Sequence, residues 1–260
     1  MNMHRIWAVF LRYFYFFAKM DHLTDLFFWP TLDIFLWGMT SVWIQQHDAS
    51  MPTIALAILT GLVFWQILWR GNYEVSVNML QEFWNRNMVN LFSTPLKLNE
   101  WISALMFVGL IKVFITISFG GLIVWLLYAL NIFGMGWALL PFCASLLLSG
   151  WLIGFLSASV LVYFGQRVQM LAWMTAYVFA PFSAVFYPLS ALPQWAQTIG
   201  KGLPMTYIFE GMRKVLQNGV FSWSDFGMSI LLNLIYLVGT ICLFWAMFEK
   251  SRAKGLSRLE

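Results

Sequence analysis

The stretch WISALMFVGLIKVFITISFGGLIVWLLYAL, residues 101–130, decides the fold, because Lys112 is its only charge. A bilayer-spanning helix needs about 20 consecutive apolar residues. This run exceeds that, which allows it to tilt or to bend at Gly120-Gly121. Five further apolar runs flank it, at 26–44, 53–69, 137–164, 168–187 and 226–248, and Pro141 offers the fourth run a bend of its own. Within all six, only Asp33 and Lys112 carry charge. The whole chain agrees: 260 residues, 61% hydrophobic, 19% aromatic and 10% charged, against roughly 25% charged in a soluble domain. Too little polar surface exists to cover six such helices in water. The expected fold is an all-α polytopic membrane protein with six transmembrane helices in 26–248. No length remains for a separate soluble catalytic domain.

Orientation follows from the basic residues, which collect on the cytoplasmic flanks of spans. Arg5, Arg12, Lys19, Arg70, Arg86, Lys97, Arg167, Lys250, Arg252, Lys254 and Arg258 all fall on one side, eleven of the fifteen Lys and Arg. Both termini are therefore expected in the cytoplasm, with 249–260 as a basic tail. The net charge of +4 lies at span edges, where anionic lipid headgroups attract it, so nucleic acid is not an expected partner. Residues 1–25 are expected to be retained rather than to act as a secretory signal, since Arg12 and Lys19 interrupt the apolar stretch and no small-residue cleavage site follows. Arg5, Arg12 and Lys19 share one helical stripe, with Trp7, Phe10, Phe14 and Phe17 on the opposite side. That is the pattern of an interfacial helix.

Two connections have structure of their own. Residues 78–96 place Leu80, Phe83, Trp84, Met88, Leu91 and Phe92 on one helical face, with Glu82, Asn85 and Arg86 roughly opposite and Pro95 as terminator. Either this amphipathic helix rests on the inner leaflet, or it offers its polar face to a soluble partner. The external segment 188–225 predicts one short helix starting at Pro193 and ending near Gly200 or Gly202. A second runs from Pro204, a favourable first-turn position, to the Asn218-Gly219 stop. At 1.5 Å per residue the second covers only about 20 Å, too short to cross a hydrocarbon core of about 30 Å. Both external helices, within about 193–218, are read as re-entrant or interfacial. Ser224 or Asp225 suits the cap of the last span.

Catalytic and metal-binding patterns are missing from the sequence. His4, His22 and His47 are widely separated, and no His-Glu-x-x-His, Gly-x-Ser-x-Gly or Gly-x-x-x-x-Gly-Lys-Ser/Thr pattern occurs. Cys143 and Cys242 lie inside apolar runs and indicate neither a disulfide framework nor a zinc site. Any ATP-driven transport requires its ATPase on another chain, so no cofactor is expected on this one. Asp33 and Lys112 sit at backbone depths that differ by only about 6 Å, and an uncompensated charge there costs several kcal/mol. Three accounts are open: an Asp33–Lys112 ion pair, a Lys112 that faces an aqueous pathway, or a Lys112 that snorkels. Arg70 and Glu74, one turn apart, are expected to form a local pair.

Local motifs then point to a family. Leu91-Phe92-Ser93-Thr94-Pro95-Leu96, Phe186-Tyr187-Pro188-Leu189-Ser190-Ala191-Leu192-Pro193, and Leu203-Pro204-Met205-Thr206-Tyr207 followed by Glu210-Gly211-Met212-Arg213 occur in the order seen in ABC type-2 permeases. The chain resembles an export-type transmembrane subunit of that class over nearly its whole length. The resemblance implies a second permease subunit, expected as a homodimer, and two copies of a separate ATP-binding subunit that carry the ATP and Mg. It also implies a bacterial inner-membrane location. Glu82, Asn85, Arg86 and Asn90 would form the coupling helix against the ATPase. Pro188, Pro193, Trp195, Pro204, Glu210 and Arg213 would shape the external gate. An amphipathic, lipid-linked glycan or drug-like substrate is the expected cargo, and a channel without ATP drive or a membrane-embedded enzyme is the alternative.

Overall fold

The computed structural model describes residues 1–16, 23–47 and 54–255, and all regular structure among them is helical. Phe17, Lys19, His22, Thr53 and Arg258 lie outside the described residues. Ten α-helices follow in order: α1 Met3–Phe16, α2 Trp29–His47, α3 Ile54–Trp84, α4 Met88–Ser93, α5 Leu98–Tyr128, α6 Leu139–Phe164, α7 Leu171–Phe179, α8 Gln194–Lys201, α9 Pro204–Asn218 and α10 Trp223–Ala253. A π-helical turn, Thr24–Phe28, leads into α2, and 3-10 turns Ile132–Ala138 and Gly165–Val168 bracket α6.

Four stretches are long and apolar enough to cross a membrane: Ile54–Trp84, Leu98–Tyr128, Ile132–Val168 and Trp223–Ala253. The first run yields α2, whose 19 residues extend about 28 Å. The fifth run, expected as one span at 168–187, is not a single helix. Its apolar helical part covers only Leu171–Phe182, about 18 Å. Pro181 cannot donate into a continuing helix, and Ala184 takes a left-handed conformation at φ 56°. The chain beyond it is a turn rather than a span.

α3 is the centre of the bundle. Nearly its whole length is buried, with α6 as its main neighbour and α2, α5, α7 and α9 around the rest. The α3–α6 seam is set by glycine. A Cβ on Gly71 would stand 2.9 Å from the Cα of Gly150, and one on Gly150 would run into the carbonyl of Leu68. Small residues let two membrane helices approach backbone to backbone, where packing rather than hydrophobicity drives association. α10 joins the far side of α6 through a buried polar knot. Asn233 donates to the Ser145 carbonyl at 3.1 Å and accepts from Ser149 at 2.9 Å, while Ser229 donates to the Pro204 carbonyl at 2.7 Å. Ser222, not Ser224 or Asp225, caps α10, accepting from the Asp225 amide at 3.4 Å.

α1 packs along α5 through Ile6, Val9, Phe10 and Tyr13, all buried, while Trp7 and Phe14 stay exposed. Of the expected apolar stripe, Phe10 is packed inward and Trp7 and Phe14 remain on the outer face, while Arg5 and Arg12, each about one-third exposed, reach Glu100 and Glu82.

Gly150→Ala is expected to lower stability by about 1–3 kcal/mol through overpacking, read as a fall in the melting temperature of the purified protein. An unchanged melting temperature would show that the seam can open without loss.

Candidate functional site: a polar ladder through the central helix

Gln66, Arg70, Glu74, Asn78 and Glu82 are spaced four apart on α3, so they form a slowly winding stripe about 24 Å long on one side of the helix. All five are buried, and each has a polar partner, although Arg70 Nε itself has none. Gln66 Nε2 donates to Asp33 on α2 at 3.2 Å. Arg70 Nη1 reaches Asp25 in the π-helical turn at 2.6 Å. Glu74 accepts from Lys112 Nζ on α5 at 2.7 Å and from Asn78 Nδ2 at 2.9 Å. Glu82 accepts from Arg12 at 2.8 and 2.9 Å, from the Tyr13 hydroxyl at 2.6 Å and from Asn87 at 2.7 Å. The Tyr73 ring lies 5.4 Å from the Arg70 guanidinium and 5.8 Å from Lys112 Nζ, within cation–π range.

The expected Asp33–Lys112 pair is therefore corrected. The approach of α5 to α3 puts Lys112 against Glu74, and Asp33 is turned toward Gln66. Nor do Arg70 and Glu74 pair with each other, because each meets an opposite charge on a different helix. The second apolar run ends at Trp69, whereas the helix continues to Trp84. The four-residue spacing from Gln66 to Glu82 was the available signal, and it counts for more than the charges it contains.

The coupling segment is corrected in the same way. Residues 78–96 are not one amphipathic helix: α3 ends at Trp84, a turn follows, and α4 has only six residues. Arg86 stands in the left-handed region at φ 49°, and the Asn87 amide donates back to the Glu82 carbonyl at 3.0 Å. Asn85, Arg86 and Asn90 are exposed, but Glu82 is buried against α1. Burial and the Glu82 carboxylate raise the Tyr13 phenol above its ordinary pKa, which keeps it protonated as the donor to Glu82. Its oxygen also accepts from Trp101 Nε1 at 3.0 Å. Beside this turn, a notch of about 430 Å³ opens between Pro95-Leu96-Lys97 and Phe248, Glu249 and Arg252 at the end of α10.

At the other end, the segment after α7 is held by α9. Arg213 donates to the carbonyls of Ala184 and, at 3.1 Å, Val185, and pairs with Glu210 at 3.2 Å. Glu210 in turn accepts from the Leu189 amide at 2.7 Å. Pro188 precedes the 3-10 turn Leu189–Ala191, Pro193 sits at the N-cap of α8, and Pro204 opens α9. Trp195 is exposed, its ring 6.0 Å from that of Phe182. Of the six residues named for this region, Glu210 and Arg213 are brought together as a backbone clamp, while the three prolines punctuate the chain.

Breaking a buried pair by removing one partner costs about 3–5 kcal/mol. Lys112→Met should therefore lower the melting temperature sharply, with most of the loss recovered in Glu74→Gln/Lys112→Met and none in Asp33→Asn/Lys112→Met. Recovery by Asp33→Asn instead would reverse the pairing.

Among the described residues, no group of three or more His, Cys, Asp or Glu is placed to hold a metal. A family model described as "ABC-2 family transporter protein" matches residues 39–248. A search of curated proteins finds no match to the chain. Long apolar helices around a charged but internally neutralised central helix, and a match over most of the chain, lead to one assignment: this is an integral membrane protein that belongs to the ABC-2 family of transporter proteins.

Proposed function

We propose that the chain is the permease subunit of an ATP-driven exporter. Two copies enclose the pathway, and two separate ATP-binding subunits, carrying ATP and Mg, dock beneath it. The supporting observation is the exposed turn Asn85–Asn87, which continues directly from α3. A push on that turn moves a single 31-residue helix to which α1, α2 and α5 are fastened by buried ion pairs and hydrogen bonds. Rigid-body motion of this kind is a common output of nucleotide-driven closure. Asn85, Arg86 and Asn90 are the contacts to the ATPase in this reading, and Glu82 acts behind them by anchoring α1. α2, and α7 taken together with the irregular segment that runs on to Pro188, complete six crossings in this reading, with both termini in the cytoplasm of a bacterium. Glu210 and Arg213 keep the outer end of the pathway in shape. The substrate is amphipathic in this reading, because α2 and α7 expose aromatic and aliphatic side chains such as Leu36, Trp37, Trp43, Tyr177 and Val178.

The test is to purify the permease from its native membranes together with the bound ATP-binding subunit, then reconstitute the complex. Asn85→Glu/Asn90→Glu should abolish complex formation and ATP-dependent export without lowering the permease melting temperature. Export that proceeds without ATP, or a complex indifferent to the double substitution, would return the chain to the channel reading.

A further inference from the structure

Asp33 differs from the other described acidic side chains. Each of those has a Lys or Arg within 3.6 Å. Asp33 has one hydrogen bond, from the neutral amide of Gln66. The ladder therefore closes electrically at Asp25–Arg70, Glu74–Lys112 and Glu82–Arg12, and leaves one negative charge over at Asp33. That charge lies on α2, beside the apolar centre of the bundle, where an uncompensated carboxylate costs several kcal/mol.

Its surroundings are aromatic. Trp37 is one turn along α2 from Asp33, 43% exposed, with one face stacked on Phe186 at 4.9 Å. Trp65 and Trp69 flank Gln66 on α3, and their rings lie 6.3 and 5.0 Å from Tyr177 of α7. Tyr177 is 57% exposed. A half-buried carboxylate that retains acceptor capacity thus lies one helical turn from Trp37 and is bonded to Gln66 between Trp65 and Trp69, and the faces of such rings attract cations.

We propose that Asp33, with Trp37 and Tyr177, binds the cationic group of an amphipathic organic substrate, such as a quaternary or protonated amine. This rests on the export reading for the word substrate and specifies its chemistry. A resident divalent metal does not fit: Asp33 and Gln66 offer too few oxygens for the six or more that calcium and magnesium require. A second copy does not supply the missing cation either. α2 and α7 carry no Lys or Arg, and a two-fold partner presenting the same face would bring a second Asp33. Such a pairing would deepen the negative site.

The experiment is binding of radiolabelled tetraphenylphosphonium to the full-length protein in nanodiscs of neutral phosphatidylcholine, without ATP. Tetraphenylborate, of nearly the same shape and opposite charge, is the control. Saturable binding of the cation is expected. Asp33→Asn should weaken it about tenfold or more, Trp37→Ala and Tyr177→Ala by roughly two- to thirtyfold, and Asp33→Glu should retain most of it. Asp33→Asn should not lower the melting temperature, because it removes a charge that has no partner. Equal affinity of wild type and Asp33→Asn would overturn the site, since a carboxyl kept protonated behaves in that way. Tetraphenylborate binding as tightly as the cation would overturn it as well, as would displacement of the probe by millimolar sodium or potassium. Because no ATP is present, failure here leaves the exporter reading standing, and loss of ATP dependence in the export assay leaves the cation site standing.

Discussion

Charge placed inside a low-dielectric bundle must be neutralised close by, and this requirement organises the protein around α3. The attraction between unit charges scales inversely with dielectric constant, so a pair that is weak at an aqueous surface becomes decisive where water is excluded. Arg70, Glu74 and Glu82 cannot ionise there alone. Each recruits its partner from a different element: Asp25 from the π-helical turn, Lys112 from α5, Arg12 from α1. The pairs carry positional information as well as energy. Sliding α5 by one helical turn, about 5.4 Å, would strand both Lys112 and Glu74. Buried ion pairs are weak evidence for stability in general, but here they define register between helices whose apolar surfaces are otherwise interchangeable.

The same stripe joins the exposed turn to the interior. Glu82 is tied at once to Arg12, Tyr13 and Asn87, and Tyr13 to Trp101. α1, the turn and the first turns of α5 therefore behave as one body with the end of α3. On the opposite face of α3, Asn72 and Ser76 both donate to the Ala172 carbonyl, at 3.0 and 3.2 Å, so the start of α7 is carried along too. Force applied at the turn has a continuous path of hydrogen bonds and ion pairs toward both α2 and α7.

Much of this was legible in the sequence. Runs such as 101–130 and 226–248 identify spans by length and hydropathy alone, because a bilayer imposes a minimum length. Pro204 and the Asn218-Gly219 pair mark the ends of α9 because proline and left-handed glycine act locally. Pairing was not legible in the same way. Depth alone matches Lys112 with Asp33, but it fixes height along the membrane normal and not rotation about the helix axis, and rotation selects Glu74. Arg70 resembled the edge of a span because charged residues usually are. Only the repeat through Gln66, Glu74, Asn78 and Glu82 reveals that the helix goes on. The broken fifth run was announced by Pro181, whose missing amide is a stronger statement than the apolar residues on either side.

That break explains why α9 carries buried charge at all. Once Pro181 and the left-handed Ala184 interrupt α7, the carbonyls of Phe182, Ala184 and Val185 lose helical partners, and an unsatisfied peptide group away from water costs several kcal/mol. α9 is amphipathic and too short to span, yet it is placed to answer all three. Thr206 donates to Phe182 at 3.4 Å, and Arg213 supplies Ala184 and Val185. Burial lowers the pKa of the Arg213 guanidinium and the carboxylate of Glu210 opposes that shift, while the guanidinium donors are spent on backbone. An arginine is suited to this because its planar fork turns Nη2 to both carbonyls and Nη1 to the Glu210 carboxylate. The irregular segment and the helix that satisfies it therefore form a single unit, in which neither part could be kept at membrane depth without the other.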